Sequence, residues 1–161
     1  MKSNSPGIRR EWWALIGITA IVFWIYAPVL SAEYIWDDDA YVVENRNLQT
    51  VEGLKRVWFS PRSSPQYYPL VFTSFWIERQ VFGDGAVAHH AINVVLHLVN
   101  GLLLWAILRR LGVAAAFVIA TIFVVHPVHV ESVAWITERK NVLSGNFYFA
   151  AGLCYLHAVG L

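Results

Sequence analysis

Residues 12–30 read WWALIGITAIVFWIYAPVL and contain no charged side chain. A membrane-spanning helix needs about 20 consecutive, mostly apolar residues, and this run meets that length. Lys2, Arg9 and Arg10 precede the run, and basic residues tend to stay on the cytoplasmic side of a membrane. The stretch therefore predicts a first span that leaves the N-terminus in the cytoplasm. A cleaved signal peptide is the alternative, but its apolar core is usually shorter.

The composition of the whole chain is typical of a polytopic membrane protein. Of its 161 residues, 57% are hydrophobic and 14% are charged, whereas soluble domains carry about 25% charged residues. The net charge of +1 gives no support to a nucleic-acid partner. Because Cys154 is the only cysteine, an intrachain disulfide is excluded. We therefore expect an all-α polytopic protein whose main partner is the lipid bilayer.

Three further apolar runs continue the pattern, at residues 88–108, 113–125 and 142–161. Arg109 and Arg110 form a short basic loop after the first of these runs, which fits a return to the cytoplasmic side. The run at 113–125 is short for a hydrocarbon core about 30 Å thick. Its helix therefore either continues beyond Pro127 or ends inside the protein. In all, the sequence predicts about four transmembrane helices.

Two segments share the outer side in this topology, a first loop at residues 31–87 and a second at 126–141. Within the first loop, residues 51–59 and 70–82 have apolar side chains at mixed three-to-four spacing, with several aromatic rings. Aromatic rings favour the membrane–water interface. The pattern therefore predicts interfacial helices in the first outer loop, separated by the proline- and serine-rich break at residues 60–65.

An acidic run, Asp37, Asp38 and Asp39, follows directly on the first span. Charge near hydrocarbon is costly, so a cluster of carboxylates at a membrane boundary indicates a functional role. Such a cluster can supply a general base or the oxygen ligands of a divalent cation. A solvated loop start or an acidic helix N-terminus is the alternative interpretation.

A polar stripe crosses the second predicted span. His89, Asn93, His97 and Asn100 are spaced by four, four and three residues, which puts them on one face of a helix. Such a stripe either forms hydrogen bonds with neighbouring helices or lines a pathway, as in a transporter. The histidines are too far apart for a helical zinc motif, so a zinc site is not favoured.

The second outer loop is rich in groups suited to a polar ligand: His126, His129, Glu131, Glu138, Arg139 and Lys140. Arginine binds phosphate through its planar fork, and lysine does so as a point charge. Glu131 or Glu138 can assist acid–base chemistry or orient a cation. The alternative for Arg139 and Lys140 is a pair of basic side chains that snorkel from a helix end.

Many of these motifs, in this order, resemble a known family. They are the Trp36–Asp39 run, Asn45, Leu48, Tyr68–Leu70, Phe75, His90, Asn93, His97, Asn100, Leu108–Leu111 and, most specifically, the block His126–Lys140. The series resembles the N-terminal membrane region of the transmembrane and tetratricopeptide-repeat protein O-mannosyltransferases and their bacterial relatives. These proteins belong to the GT-C class of polytopic glycosyltransferases, and the resemblance covers nearly the whole chain.

The resemblance implies transfer of a sugar, mannose by analogy, from a polyprenyl-phosphate donor to a protein acceptor hydroxyl on the outer face. It also implies an essential aspartate in the first outer loop, with an aromatic residue four positions later. Asp37, Asp38 and Tyr41 match that spacing, so Asp37 is expected to be catalytic, with Asp38 as its partner. The same two carboxylates are the expected ligands if a divalent cation is used, and no other cofactor is expected.

The second outer loop completes the site that the resemblance implies. Arg139 and Lys140 are expected to bind the donor phosphate. The supporting polar residues are expected to be Asp39, His90, Asn93, His97, His126, His129, Glu131 and Glu138.

The chain also departs from the family, because later spans and tetratricopeptide repeats are absent from the sequence. We therefore expect an N-terminal fragment that is inactive alone. The alternatives are a non-catalytic membrane assembly or lipid-binding protein, or a transporter-like element. The short N-terminus and the lack of an Asn-x-Ser/Thr acceptor site favour the bacterial inner membrane over the endoplasmic reticulum.

Overall fold

The computed structural model describes the backbone of residues 6–161 and the side chains of residues 11–161. The predicted basic cluster of Lys2, Arg9 and Arg10 lies outside the described side chains. Within the described range the protein is built from α-helices and short 3₁₀ or π turns, without a β-strand, so the all-α prediction is confirmed. The helices are α1 (Pro6–Tyr26), α2 (Val51–Phe59), α3 (Pro69–Phe82), α4 (Ala86–Arg110), α5 (Ala116–Val125), α6 (Val130–Ala134) and α7 (Arg139–Ala158).

Two helical segments are long and apolar enough to cross a membrane. They are Glu11–Ser31, which joins most of α1 to a 3₁₀ turn, and the whole of α4. A bent helix pair, α5 and Pro127–Ala134, meets at an angle of 49° and is apolar enough for either a broken span or a re-entrant loop. The break lies at His126, whose extended backbone (φ −67°, ψ 128°) is the conformation favoured before a proline. Helix α7 coincides with the fourth predicted span, and its crossing of the membrane stays a prediction.

Helix α4 is the centre of the helical bundle and packs against α1, α5 and α7. It approaches α5 closely at Gly101, where a Cβ added to the glycine would clash with a methyl group of Val124. This close approach lets the apolar faces of three helices share one core. The most deeply buried members of that core are Ile18, Val22, Val94, Ala120 and Val124.

The first outer loop folds into a second apolar core above the bundle. Helices α2 and α3 occupy the two segments with helical spacing, and Pro69 is the first residue of α3. Thr50 caps α2 by accepting a hydrogen bond from the Gly53 amide at 3.0 Å. The predicted helices are thus present, and their interfacial location stays a prediction. The buried side chains of this core include Tyr41, Leu48, Phe72, Phe75 and Ile136.

The polar stripe on α4 is buried and serves helix packing. His97 Nε2 lies 3.1 Å from the carbonyl oxygen of Val124 in α5. Asn100 Nδ2 donates to the carbonyl of Val142 in α7 at 2.9 Å. Because these contacts join α4 to its neighbours, the structure supports the hydrogen-bonding interpretation of the stripe over a transport pathway.

A buried ion pair joins the outer core to the bundle. Arg139, the first residue of α7, is fully buried, and its Nη1 group is paired with the carboxylate of Glu78 in α3. Nε donates to Asn93 Oδ1 at 2.8 Å, and Nη2 donates to the carbonyl of His89 at 2.9 Å. The guanidinium also stacks on Phe75, with its carbon 4.3 Å from the ring centroid. One side chain therefore connects α3, α4 and α7.

The second oxygen of Glu78 is also engaged, since Oε2 lies 2.6 Å from His89 Nδ1. Both carboxylate oxygens of Glu78 therefore have a hydrogen-bond partner, and the side chain is buried. A buried charge is costly unless it is paired and hydrogen-bonded, and this network meets that condition.

We expect Glu78→Gln to lower the free energy of unfolding by about 3–5 kcal/mol, because it leaves the Arg139 charge buried without a counter-ion. Unfolding in detergent micelles, followed by tryptophan fluorescence, measures this change. The matched control is Glu52→Gln, which removes the exposed Glu52–Lys55 pair (3.3 Å). Exposed pairs contribute about 0.2–1 kcal/mol, so the control should change little. Equal stability of Glu78→Gln and wild type would contradict a structural role for the pair.

Candidate active site

The acidic run lies where the two outer loops meet. The chain leaves the 3₁₀ turn at Ser31 and reaches Trp36, the one non-glycine residue with a positive φ (51°) in the described part of the chain. A bulky residue rarely adopts this conformation, and such strain is concentrated at functional sites. The turn at Trp36 directs the two residues that follow toward the 3₁₀ turn Ile136–Glu138 in the second outer loop.

Thr137 holds two of the three carboxylates at once. Its amide donates to Asp38 Oδ1 at 3.1 Å, and its hydroxyl donates to Asp37 Oδ1 at 2.9 Å. Asp38 Oδ2 accepts a further hydrogen bond from the amide of Ile35 at 3.1 Å. The structure thus unites the predicted pair of carboxylates through a residue that the sequence analysis did not identify. No local pattern marks Thr137, because it lies 100 positions along the chain from Asp37.

The three aspartates occupy different environments. Asp38 is fully buried, Asp37 is half-buried and Asp39 is exposed. Burial raises the pKa of the Asp38 carboxyl, and the adjacent Asp37 carboxylate raises it further, whereas the amides of Ile35 and Thr137 lower it. Asp37 is therefore the carboxylate of the Thr137-bound pair that can reach a substrate, while Asp38 is enclosed by protein.

Aromatic side chains surround the carboxylates. Tyr41, the aromatic residue four positions after Asp37, is buried and stacks on Phe72 with ring centroids 5.7 Å apart. Its role is thus to anchor the acidic run in the outer core. On the open side, the exposed Trp36 ring meets Trp135 edge-on, with centroids 4.6 Å apart. The two tryptophans form a wall beside Asp37.

His90 lies beneath this site on α4. Its imidazole is buried and close enough to Asp38 to affect the carboxyl electrostatically. Its ring nitrogens lie next to the backbone of Glu33 and Ala134, and neither nitrogen makes a hydrogen bond of ordinary geometry among the described residues. His90 is the predicted supporting residue that the structure brings to the acidic pair.

The two predicted phosphate ligands differ in their access to solvent. Arg139 is buried in the network with Glu78, and its guanidinium is engaged there. Lys140 is partly exposed, with its amine paired to Glu138 and 5.9 Å from the centroid of the Tyr68 ring. It opens into a cavity of about 320 Å³ between α3 and α7. The other residues that line this cavity are Tyr67, Tyr68, Pro69, Leu70, Val71, Leu143, Ser144 and Phe147.

The remaining polar residues of the second loop lie at the break between α5 and α6. His126 Nδ1 accepts from the amide of Val128 at 3.3 Å and so caps the turn. The His129 ring packs on Phe123 and near His97, with centroids 4.4 and 5.3 Å apart. Glu131 is exposed. His129 therefore contacts the core of the bundle, whereas His126 is exposed, and among the described residues neither histidine is bonded to the acidic run.

No group of three or more His, Cys, Asp or Glu side chains in the described part of the chain is arranged to hold a metal ion. Two carboxylates with adjacent oxygens can still provide part of the coordination of a hard cation. The divalent cation at Asp37 and Asp38 stays a prediction.

The sequence is similar to several protein O-mannosyl-transferases. It is 30% identical over 155 residues to protein O-mannosyl-transferase Tmtc1 of Drosophila melanogaster, covering 88% of this chain and 18% of that protein. It is 28% identical over 176 residues to TMTC4 of Homo sapiens, covering 94% of this chain and 24% of the relative. With TMTC3 of Mus musculus the identity is 26%, over 94% of this chain and 17% of the relative. No family profile and no solved structure matches the chain.

These relatives come from animals, so the expected bacterial inner membrane receives no support from them. The apolar helices do fit an integral membrane protein. The chain spans about a fifth of the length of the curated relatives it matches. Over nearly all of its own length, this chain is a homologue of the TMTC protein O-mannosyl-transferases.

Proposed function

We propose that this chain forms part of a membrane enzyme that transfers mannose from a polyprenyl-phosphate donor to a protein hydroxyl on the outer face. The observation that carries the proposal is the pair of carboxylates, Asp37 and Asp38, bound by Thr137 where the two outer loops meet. The relatives, named protein O-mannosyl-transferases, support glycosyl transfer to protein.

Asp37 is the proposed general base. A hydroxyl group is a weak nucleophile, and a positioned carboxylate accepts its proton while the new bond to the sugar carbon forms. The bond from that carbon to the phosphate oxygen breaks, and the lipid phosphate leaves with the electron pair. Thr137 holds Oδ1 of Asp37 at 2.9 Å. Oδ2 has no hydrogen-bond partner among the described residues and is available to the acceptor.

Asp38 is proposed to position Asp37. Its two oxygens accept amide hydrogen bonds from Ile35 and Thr137, one from each outer loop. These bonds hold the loops together directly beside Asp37. His90 is proposed to support Asp38, because it is buried and close enough to that carboxylate to lower its pKa.

Lys140 is proposed to bind the donor phosphate. Its partly exposed amine lies at a cavity whose walls include Leu70, Leu143 and Phe147. A cation beside an apolar surface is suited to a ligand with a phosphate and a hydrocarbon chain. Arg139, expected from sequence to share this role, is proposed to position the first turn of α7 instead, since its donors are engaged by Glu78 and Asn93.

We expect Asp37→Asn to lower mannosyl transfer at least about 100-fold, because general-base catalysis contributes about 10²–10⁴-fold. The assay uses membranes that contain the native gene product, polyprenyl-phosphate mannose and a serine/threonine acceptor peptide. Asp39→Asn is the matched control and should leave the rate nearly unchanged, since Asp39 is exposed. Full activity of Asp37→Asn, or an equal loss in both variants, would overturn the assignment.

We expect Asp38→Asn to remove a pH dependence of stability. Because the folded-state pKa of Asp38 is raised, the folded chain binds more protons than the unfolded chain. The stability of the wild type therefore falls as pH rises from the ordinary value of 3.8 through the raised pKa. Asparagine is neutral throughout, so the variant should lack this fall, although the loss of one of the two amide hydrogen bonds lowers its melting temperature at every pH. Thermal melts between acidic and neutral pH measure the slope, and the same fall in the variant as in wild type would contradict the prediction.

We expect Lys140→Gln to raise the KM for the lipid-phosphate donor about tenfold, because a charge-assisted hydrogen bond contributes about 1.5–3 kcal/mol. The value of kcat should change less. Lys55→Gln is the control, since Lys55 is an exposed lysine on α2. Steady-state kinetics with varied donor measure both constants, and a fall in kcat without a change in KM would argue against donor binding at Lys140.

A further inference from the structure

A second cavity lies at the other end of the helical bundle. It has a volume of about 720 Å³ and opens between the beginning of α1, the end of α4 and the beginning of α5. Its lining includes Glu11, Trp13, Trp105, Arg109, Ala116 and Phe117. Glu11 and the acidic run are separated by the length of the first span, about 30 Å at 1.5 Å per residue. This cavity is thus separate from the proposed active site.

Arg109 supplies a positive charge to this cavity. Its guanidinium carbon lies 5.2 Å from the centroid of the Trp105 ring, and its Nη2 group is 2.7 Å from Glu11 Oε1. Both charged side chains are 44% exposed, so the ion pair contributes little to stability. Among the described side chains, Glu11 is the sole hydrogen-bonding partner of Arg109. The other N–H groups of the Arg109 guanidinium are therefore able to donate hydrogen bonds to an anion.

The first turn of α5 adds donors at the same place. Its N-cap is Ala115, which has no side-chain oxygen to accept from the amides of the first turn. Val113, Ala114, Ala116 and Phe117 all line the cavity. The Ala116 amide donates to the carbonyl of Val113 at 3.2 Å, whereas the amides of Phe117 and Val118 have no acceptor among the described residues. These two amides and the positive end of the helix dipole favour a negative group here.

The rest of the wall is apolar and faces outward. Trp13 is 70% exposed and Phe117 is 39% exposed. Trp13 lies on the apolar segment Glu11–Ser31, and Phe117 lies on α5, which belongs to the bent helix pair. Tryptophan is enriched at the level of lipid headgroups. A ligand that fits this surface has one anionic end and hydrocarbon chains.

We propose that this cavity binds an anionic glycerophospholipid. The phosphate contacts Arg109 and the first turn of α5, and the acyl chains lie along Trp13 and Phe117. Glu11 competes with the phosphate for the same guanidinium, so the two residues have opposite effects on affinity. The proposal is independent of glycosyl transfer.

The test measures lipid binding to the full 161-residue chain in mild detergent by native mass spectrometry. Phosphatidylglycerol is compared with zwitterionic phosphatidylcholine. Arg109→Gln should weaken phosphatidylglycerol binding about fivefold, since one basic residue near anionic lipid contributes about 1 kcal/mol. Binding of phosphatidylcholine should change less, because its choline cation neutralises the charge of the phosphate. Glu11→Gln should strengthen phosphatidylglycerol binding, because it frees the guanidinium.

Opposite effects of the two variants distinguish a binding site from damage to the fold, which would weaken binding in both. Arg46→Gln is the matched control, because Arg46 is an exposed arginine in the first outer loop. The proposal is overturned if Arg109→Gln binds phosphatidylglycerol as wild type does. It is also overturned if Glu11→Gln weakens binding, or if Arg46→Gln has the same effect as Arg109→Gln.

Discussion

The buried guanidinium of Arg139 is the constraint on which the outer part of the structure depends. A fully buried charge requires a counter-ion and hydrogen-bond acceptors, and α3 and α4 supply them through Glu78, Asn93 and the carbonyl of His89. Meeting this requirement brings the outer core, the central helix and the start of α7 into contact. The free-energy cost of desolvating the guanidinium is offset by its ion pair and hydrogen bonds. These contacts fix the geometry of three segments that are distant in sequence.

The buried position of Arg139 determines where the side chains of Thr137 and Lys140 lie. With Arg139 directed into the protein, Thr137 lies two residues earlier, where it binds Asp37 and Asp38. Lys140 lies one residue later and is directed to the cavity between α3 and α7. A structural ion pair thus orients a short segment in which Thr137 holds the two aspartates and Lys140 lines the cavity. The same short segment therefore contributes to folding and to the proposed function, because successive residues of a helical segment point in different directions.

Much of the helical architecture could be predicted from local pattern. The run at residues 12–30 and the apolar stretch at 88–108 predicted helices that the structure contains, since apolar length is a local property. Pro69 was correctly expected in the first turn of α3. The short run at 113–125 left two outcomes open, and the structure has a break at His126. Pro127 favours that break, because the residue before a proline avoids the helical conformation.

By itself, the sequence determined that the chain is helical and compatible with a membrane, where its long apolar helices lie, and that an acidic run with an aromatic residue at the fourth position follows the first of them. Only the tertiary structure decided which aspartate is enclosed and which is accessible, and that Thr137 holds both. It also decided that Arg139 is buried while Lys140 is open. The physical reason is that composition and periodicity act over a few residues, whereas burial and hydrogen-bond partners depend on contacts across the chain.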